Sequence, residues 1–359
     1  MMYSVCHNKN YTQVPSDHHP KIFSMKLTHF QSAIYVGGKY SSLLFRPKKA
    51  VSSMMTMKIK SQSNPFEFGE YRATKVKRVN KALDEAIPLM QEPTILHEAM
   101  RYTLLAGGKR SFPTLCIASC ELVGGDECSA MPMACALEML NTAGVIQDDL
   151  PCMDNDDLRR GKPSNHKVFG EATSILASHA LLSLAIEYIA TETKNAPLDR
   201  LVRAIAEFCS SAGSKGYAGG QVMDMCSEGK EISLSELEFI QRLKTGMFVE
   251  TAVVGGVLLG GGSEVEIERI RNYGRFLGLA YQVQNDLLDV TGSVDKLGKE
   301  VGRDSQLDKA TIIKLVGIDK SKDIARDLVA QAHQQLAYFD PAKAAPLYHM
   351  ANFVITRQI

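Results

Sequence analysis

The chain has 359 residues, 45% of them hydrophobic, with 41 Lys and Arg against 40 Asp and Glu. That length and balance leave room for one large domain or two small ones, and exclude the disordered, collagen-like and disulfide-stapled classes. No uninterrupted apolar run approaches the roughly 18 residues of a membrane-crossing helix; the best candidate, Thr251 to Gly262, is short and rich in glycine.

The charge is unevenly spread. Residues 1–66 hold nine Lys/Arg and ten Ser with a single acidic residue, Asp17, so the chain from Glu67 onward has 32 basic and 39 acidic side chains, a net of −7. An acidic body without a basic stripe argues against nucleic acid as a partner. The Ser-rich, acid-poor head lacks the apolar core of a secretory signal. Residues 1–60 therefore read as a transit peptide, for the plastid or the mitochondrion, cut between Ser52 and Asn64. A disordered tail with no address is the alternative.

Past the head the pattern is helical. Val76, Val79, Leu83, Ala86 and Ile87 recur at three- and four-residue steps before Pro88. A second helix starts near Pro93-Thr94 and stops at Gly107-Gly108, where glycine suits a left-handed cap. Cys116 and Cys120 share one helical face. With no histidine at ligand spacing they read as small buried hydrophobes, not a zinc site. Ser263 through Glu266 predicts a capping box opening a long helix with the stripe Ile267, Ile270, Gly274, Leu277, Tyr281. Alternating β patterns are absent, and no proline falls between Pro197 and Pro341. The expected fold class is all-α, in one domain.

Two acidic clusters carry the chemistry. The first runs from Asp148-Asp149 to Asp154 and Asp156-Asp157, followed by Arg159 and Arg160. Pro151 must end or kink the preceding helix near Asp149, so Asp154 can fold back toward Asp148. Convergent carboxylates without thiol or imidazole suit a hard cation such as Mg²⁺, which shares its remaining positions with water and substrate phosphate. The second, Asn285-Asp286-Leu287-Leu288-Asp289, continues the long helix, with Gln282 one turn back on the same face. Either cluster alone reads as a solvated helix end. Two in one helical chain, each followed by cations (Lys296 and Lys299 in the second case), point to a shared ligand. Gly107-Gly108-Lys109-Arg110 suits a phosphate contact, and Lys244-Thr245-Gly246 and Gly219 through Asp224 insert polar groups into apolar helical surroundings. Separate carboxylate and cation sets imply a substrate with several phosphates and a hydrocarbon remainder.

From about Phe68 onward these motifs resemble the trans-prenyl diphosphate synthase family, and within it the plant geranylgeranyl diphosphate synthases. Asp148 through His166, Gly219 through Gly229, Asn285 through Asp289 and Phe339 through Gln358 carry the similarity. The resemblance implies that residues 67–359 form a polyprenyl synthase catalytic domain, a bundle of about ten or more helices around a deep central cavity, usually dimeric. It implies condensation of isopentenyl diphosphate with an allylic diphosphate (dimethylallyl, geranyl or farnesyl) in isoprenoid and carotenoid biosynthesis. Asp148, Asp149, Asp154, Asp286 and Asp289 would bind Mg²⁺. Arg159, Lys244, Gln282 and Lys299 would hold the allylic diphosphate with Thr245 beside the cation, and Lys109 and Arg160 the isopentenyl diphosphate, with Arg110 able to help.

The departures from the family pattern cluster. Phe112 stands where the family usually has Arg, Asn141 and Gln147 where it has His, Asn285 where it has Asp, and Ser178-His179 where it has Gly-Asp. Ala143 and Gly144, one turn before the first cluster, are small where an aromatic would stop product growth, which favours twenty carbons or more over fifteen. A geranylfarnesyl product is one alternative. Another is a weakly active or inactive subunit paired with an active synthase, and Cys116-x-x-x-Cys120 resembles a subunit-contact motif of the family. A homodimer, or a heterodimer with a related subunit, is expected.

Overall fold

Helices succeed one another along the computed structural model, which describes residues 66–89, 91–292 and 309–357. The basic head, Lys296 and Lys299 lie outside the described residues. Helix α1 spans Phe68–Ala86, α2 Thr94–Leu104, α3 Ser111–Leu122 and α4 Glu127–Asp148. A two-residue ladder, β1 (Leu158–Arg159) against β2 (Lys162–Pro163), precedes α5 (Asn165–Phe169), α6 (Glu171–Glu192), α7 (Leu198–Ala212), α8 (Tyr217–Ser227) and α9 (Leu234–Gln241). A π-helical turn, Arg242–Gly246, leads into α10 (Met247–Leu259), then α11 (Glu264–Thr291), α12 (Ile312–Val316), α13 (Ile318–Leu336) and α14 (Pro341–Thr356).

The expectation of an all-α fold holds except at the ladder. Two residues per strand are too few to show alternation. The turn that closes it is set by Arg160 and Gly161, both at positive φ (54° and 75°), the conformation a tight hairpin requires.

Burial follows the apolar pattern. Every residue of α10 is buried, as expected of a helix that is apolar apart from Glu250 and Thr251, with Glu250 paired to Arg271 and Arg275, and it sits centrally against α3, α11, α7 and α4. α4 lies on α6, and α11 on α13. Cys116 and Cys120 are fully buried on α3, their Sγ atoms turned to the Ala130 and Asp126 carbonyls. α11 opens on the expected capping box: Ser263 Oγ accepts from the Glu266 amide, and the Glu266 carboxylate from the Ser263 amide at 2.6 Å. Such a cap contributes about 1 kcal/mol.

α6, with a mean hydropathy of 1.4, is long and apolar enough to cross a membrane by length and composition alone, which a search for uninterrupted apolar runs misses. One stripe, Ala177, Ser178, Leu181, Ala185 and Ile189, is buried in a helix packed on α4 and α2. That makes it a wall of the bundle.

Candidate active site

Pro151 ends α4 at Asp148, and the chain folds back so that the Asp154 amide donates to the Asp148 carbonyl at 2.9 Å. Asp148 Oδ1 accepts from the Tyr217 hydroxyl at 2.6 Å and from Gln221 Nε2 at 2.8 Å, both on α8. Burial raises the Asp148 carboxyl against the pull of Lys244 and the Tyr217 hydrogen bond. Asp149 is buried and paired with Arg159, whose Nε donates to it at 2.9 Å while the guanidinium also reaches Asp156 at 2.9 Å.

Burial pushes the Asp149 carboxyl up to about 6, with Arg159 opposing. The folded protein thus holds this proton more tightly than the unfolded chain, whose carboxyl titrates near 3.8. The stability this group contributes is complete below the unfolded value and is lost as pH rises through about 6. Unfolding of the metal-free protein from about pH 4 to about pH 6.5 is expected to lose about 2–3 kcal/mol relative to an Asp149→Asn variant. Parallel curves for the two proteins would contradict it.

Asp286 of the second cluster lines a cavity of about 70 Å³ together with Asp224, Gln241, Lys244, Gln282 and Lys309. Lys244 Nζ donates to Asp224 at 2.7 Å. Its burial would lower its pKa, but Asp224, Asp148 and Asp154 outweigh this and the net shift is upward. Lys309 Nζ donates to Asp154 at 3.0 Å and lies 3.8 Å from Asp224. It therefore links the first cluster to the wall that Asp286 lines. Asp286 accepts from Gln241, Gln282 and the Ile312 amide at 3.2, 3.1 and 2.9 Å. Asp289 is buried, and its Oδ1 has no hydrogen-bond partner among the described residues. Thr245 follows Lys244 on the π turn, a distortion found frequently at functional sites. Asn285 does not share the face of Asp286: its Oδ1 accepts from Arg357 at the end of α14.

The cations near the Gly-Gly loop divide. The Arg160 guanidinium donates to the Gly107 carbonyl. A Cβ on Gly108 would lie 2.9 Å from that guanidinium, and Gly108 has φ +133°, so only glycine lets the Lys109 loop and Arg160 meet. Arg110, expected beside the phosphate, is 2% exposed and points inward. It donates to Glu138 at 2.6 Å, Asn80 at 2.8 Å and the Leu104 carbonyl at 2.7 Å. A buried guanidinium demands such a full set of acceptors. Phe112 packs against Phe248 and Tyr281 in tilted ring pairs with centres 5.5 and 6.1 Å apart, and Arg357 lies 4.0 Å over the Tyr281 ring.

Among the described residues no three carboxylate, thiol or imidazole groups converge as a ready cage for a metal ion. The ammonium groups of Lys244 and Lys309 instead sit among Asp148, Asp154 and Asp224. The all-oxygen donor set and the unpartnered Asp289 oxygen nonetheless suit Mg²⁺, which accepts few carboxylates and completes its shell from phosphate.

Sequence reasoning missed Tyr217, Gln221, Asp224, Gln241 and Lys309 as site residues. Gln221 and Asp224 stand in the polar insert Gly219 through Asp224, to which local pattern assigns no role; Lys309 carries no local signal. The space expected at Gly144 is filled as well: a Cβ there would meet Tyr217 Cζ at 3.0 Å.

Two acidic clusters linked through Lys244 and Lys309 within a helical bundle form a site suited to a ligand that carries phosphate groups. The polyprenyl synthetase family model matches residues 93–344, and the chain belongs to this family of prenyltransferases. It is 52% identical over 298 residues to a chloroplastic geranylgeranyl pyrophosphate synthase of Catharanthus roseus, covering 83% of each chain. It is 50% identical to a chloroplastic heterodimeric geranylgeranyl pyrophosphate synthase large subunit of Arabidopsis thaliana, over 88% of this chain and 89% of that one. A chloroplastic geranylfarnesyl diphosphate synthase of Leucosceptrum canum is also 50% identical, over 81% of both chains. Among solved structures, an FPP/GFPP synthase from Zymomonas mobilis superposes with a TM-score of 0.72 at 31% identity, over 80% of this chain and 99% of that one.

Proposed function

We propose that this chain, from about residue 67 onward, condenses isopentenyl diphosphate with an allylic diphosphate, dimethylallyl, geranyl or farnesyl, to give geranylgeranyl diphosphate in plastids. The observation that carries the reading is that Lys244 and Lys309, on the walls of the cavity that Asp286 lines, also engage Asp148 and Asp154 of the first cluster. Mg²⁺, held by Asp148, Asp149 and Asp154 on one side and Asp289 with Asp286 on the other, would supply neutralising charge for the departing diphosphate. Lys244, Gln282, Lys309 and Arg159 bind and orient that diphosphate; Lys299 is a further candidate. Lys109 and Arg160 hold the isopentenyl diphosphate. Phe112, Phe248 and Tyr281 keep water from the electron-deficient carbon.

Residues 1–60 act in this reading as the plastid address, in keeping with the chloroplastic relatives. A dimer partner, a second copy or a related subunit, suits the large apolar side chains that α6 and α7 leave outside: Ile175, Leu176, Leu198 and Val202 are more than half exposed.

The test is an assay of protein lacking residues 1–60 with Mg²⁺, labelled isopentenyl diphosphate and each allylic starter, the product length read by chromatography. A twenty-carbon product supports the proposal. No product alone, with altered product length on mixing with an active synthase, would replace it by the partner-subunit reading, which the loss of charge at Phe112 and Asn285 favours. Restoring Arg at Phe112 is expected to lower KM for isopentenyl diphosphate about tenfold, the value of one charged hydrogen bond. An unchanged KM would mean that Arg357 or Arg160 already provides that charge.

A further inference from the structure

We infer that the ring of Tyr217 is the stop that sets how long a hydrocarbon tail the site accepts, an inference that rests on the prenyltransferase reading above. A diphosphate held at Asp148 leaves its tail one direction that is not water or charge: along α4, away from the acidic end, into the apolar interior. Gly144 lies four residues before Asp148 on the same face, one helical turn deeper. Its missing side chain would leave that path open. The α8 residue Tyr217 closes it from the opposite wall, with Cζ 3.0 Å and Oη 3.2 Å from where a Gly144 Cβ would stand.

The ring is held on several sides. Its hydroxyl donates to Asp148 Oδ1 at 2.6 Å and lies 3.1 Å from the Gly144 carbonyl. Its plane meets Phe248 edge-on at 5.8 Å and 82°, and Phe248 in turn packs against Phe112 in a tilted pair at 5.5 Å. Tyr217 is 8% exposed. A phenol fixed at its far end by a carboxylate cannot swing aside without breaking a charge-assisted hydrogen bond. Interiors this close-packed do not yield a ring's volume by small adjustments. The tail therefore stops or turns where this ring stands, and removing the ring frees about the bulk of one five-carbon unit.

The test uses the full chain with Mg²⁺ and unreactive allylic thiolodiphosphates bearing fifteen-, twenty- and twenty-five-carbon tails, with affinities measured by calorimetry. Tyr217→Ala and Tyr217→Leu are expected to favour the twenty-five- over the fifteen-carbon analogue by about tenfold or more relative to the starting protein, from the added apolar burial. Tyr217→Phe, which keeps the ring, is expected to retain the original tail preference. The Leu variant keeps an apolar side chain of intermediate size, so the result does not depend on the Ala variant folding. Unchanged tail preference in both Ala and Leu variants, while all analogues bind, would overturn the inference and leave the prenyltransferase reading intact. So would a shift in Tyr217→Phe as large as in Tyr217→Ala, since the hydroxyl and not the ring would then be responsible. If no analogue bound the starting protein with Mg²⁺, the reading itself would fall and this inference with it.

Discussion

Replacing Asp148 by alanine is expected to lower kcat by about 10³-fold, on the scale of losing one preorganised group that stabilises charge in the transition state. Asp148 is where the elements of the site meet. It ends α4, takes two hydrogen bonds from α8 and feels the charge of Lys244 on the π turn. The alanine variant would lose the carboxylate, leave the Gln221 amide without that acceptor and leave the Tyr217 hydroxyl only the Gly144 carbonyl. Asp148→Asn separates the two effects, since it keeps an oxygen for those donors and removes the charge. Steady-state rates over a Mg²⁺ titration give the measurement, and near-normal turnover in either variant would show that the metal assignment is wrong.

Removing Glu138 is expected to have the largest effect on stability. Glu138 and Arg110 are each 2% exposed, so Glu138→Leu strands a guanidinium in the interior at a cost of about 3–5 kcal/mol. The double variant Arg110→Met/Glu138→Leu removes both charges and is expected to recover most of that loss. Urea denaturation of the two proteins decides the matter. The double variant also tests the role of Arg110, which the Gly-Gly-Lys-Arg motif suggests is a phosphate ligand. With Arg110 locked to Glu138, Asn80 and Leu104, its removal should leave KM for isopentenyl diphosphate unchanged. A raised KM in the folded double variant would return Arg110 to the substrate.

The departures at Phe112 and Asn285 share one piece of structure. Arg357 lies over the Tyr281 ring, which packs against Phe112, and the same guanidinium donates to Asn285. A neutral amide accepts this bond without binding the cation as firmly as a carboxylate would. The end of α14 is thereby tied to both altered positions, and Arg357 is a cation held against the ring that packs on Phe112.

Local pattern was enough to reveal the helical class, the end of α4 at Pro151, the capping box at Ser263, the burial of Cys116 and Cys120, and both acidic clusters. Each rests on residues within one or two turns of one another, where backbone geometry alone dictates which side chains share a face. Facing was harder. Asn285, Asp286 and Asp289 read as one face, but the packing of α14 against α11 draws Asn285 to Arg357. Arg110 follows Lys109 in sequence, and at its left-handed backbone, φ 49°, its side chain turns inward to Glu138, Asn80 and the Leu104 carbonyl. Lys309 meets Asp154 from 155 residues away, and Tyr217 meets Gly144 from 73 residues away. The sequence by itself determined the helices, the carboxylates and cations, and hence the chemistry. Only the tertiary structure decided which cations reach which carboxylates and what fills the space beside a glycine, because those depend on how helices distant in sequence pack together.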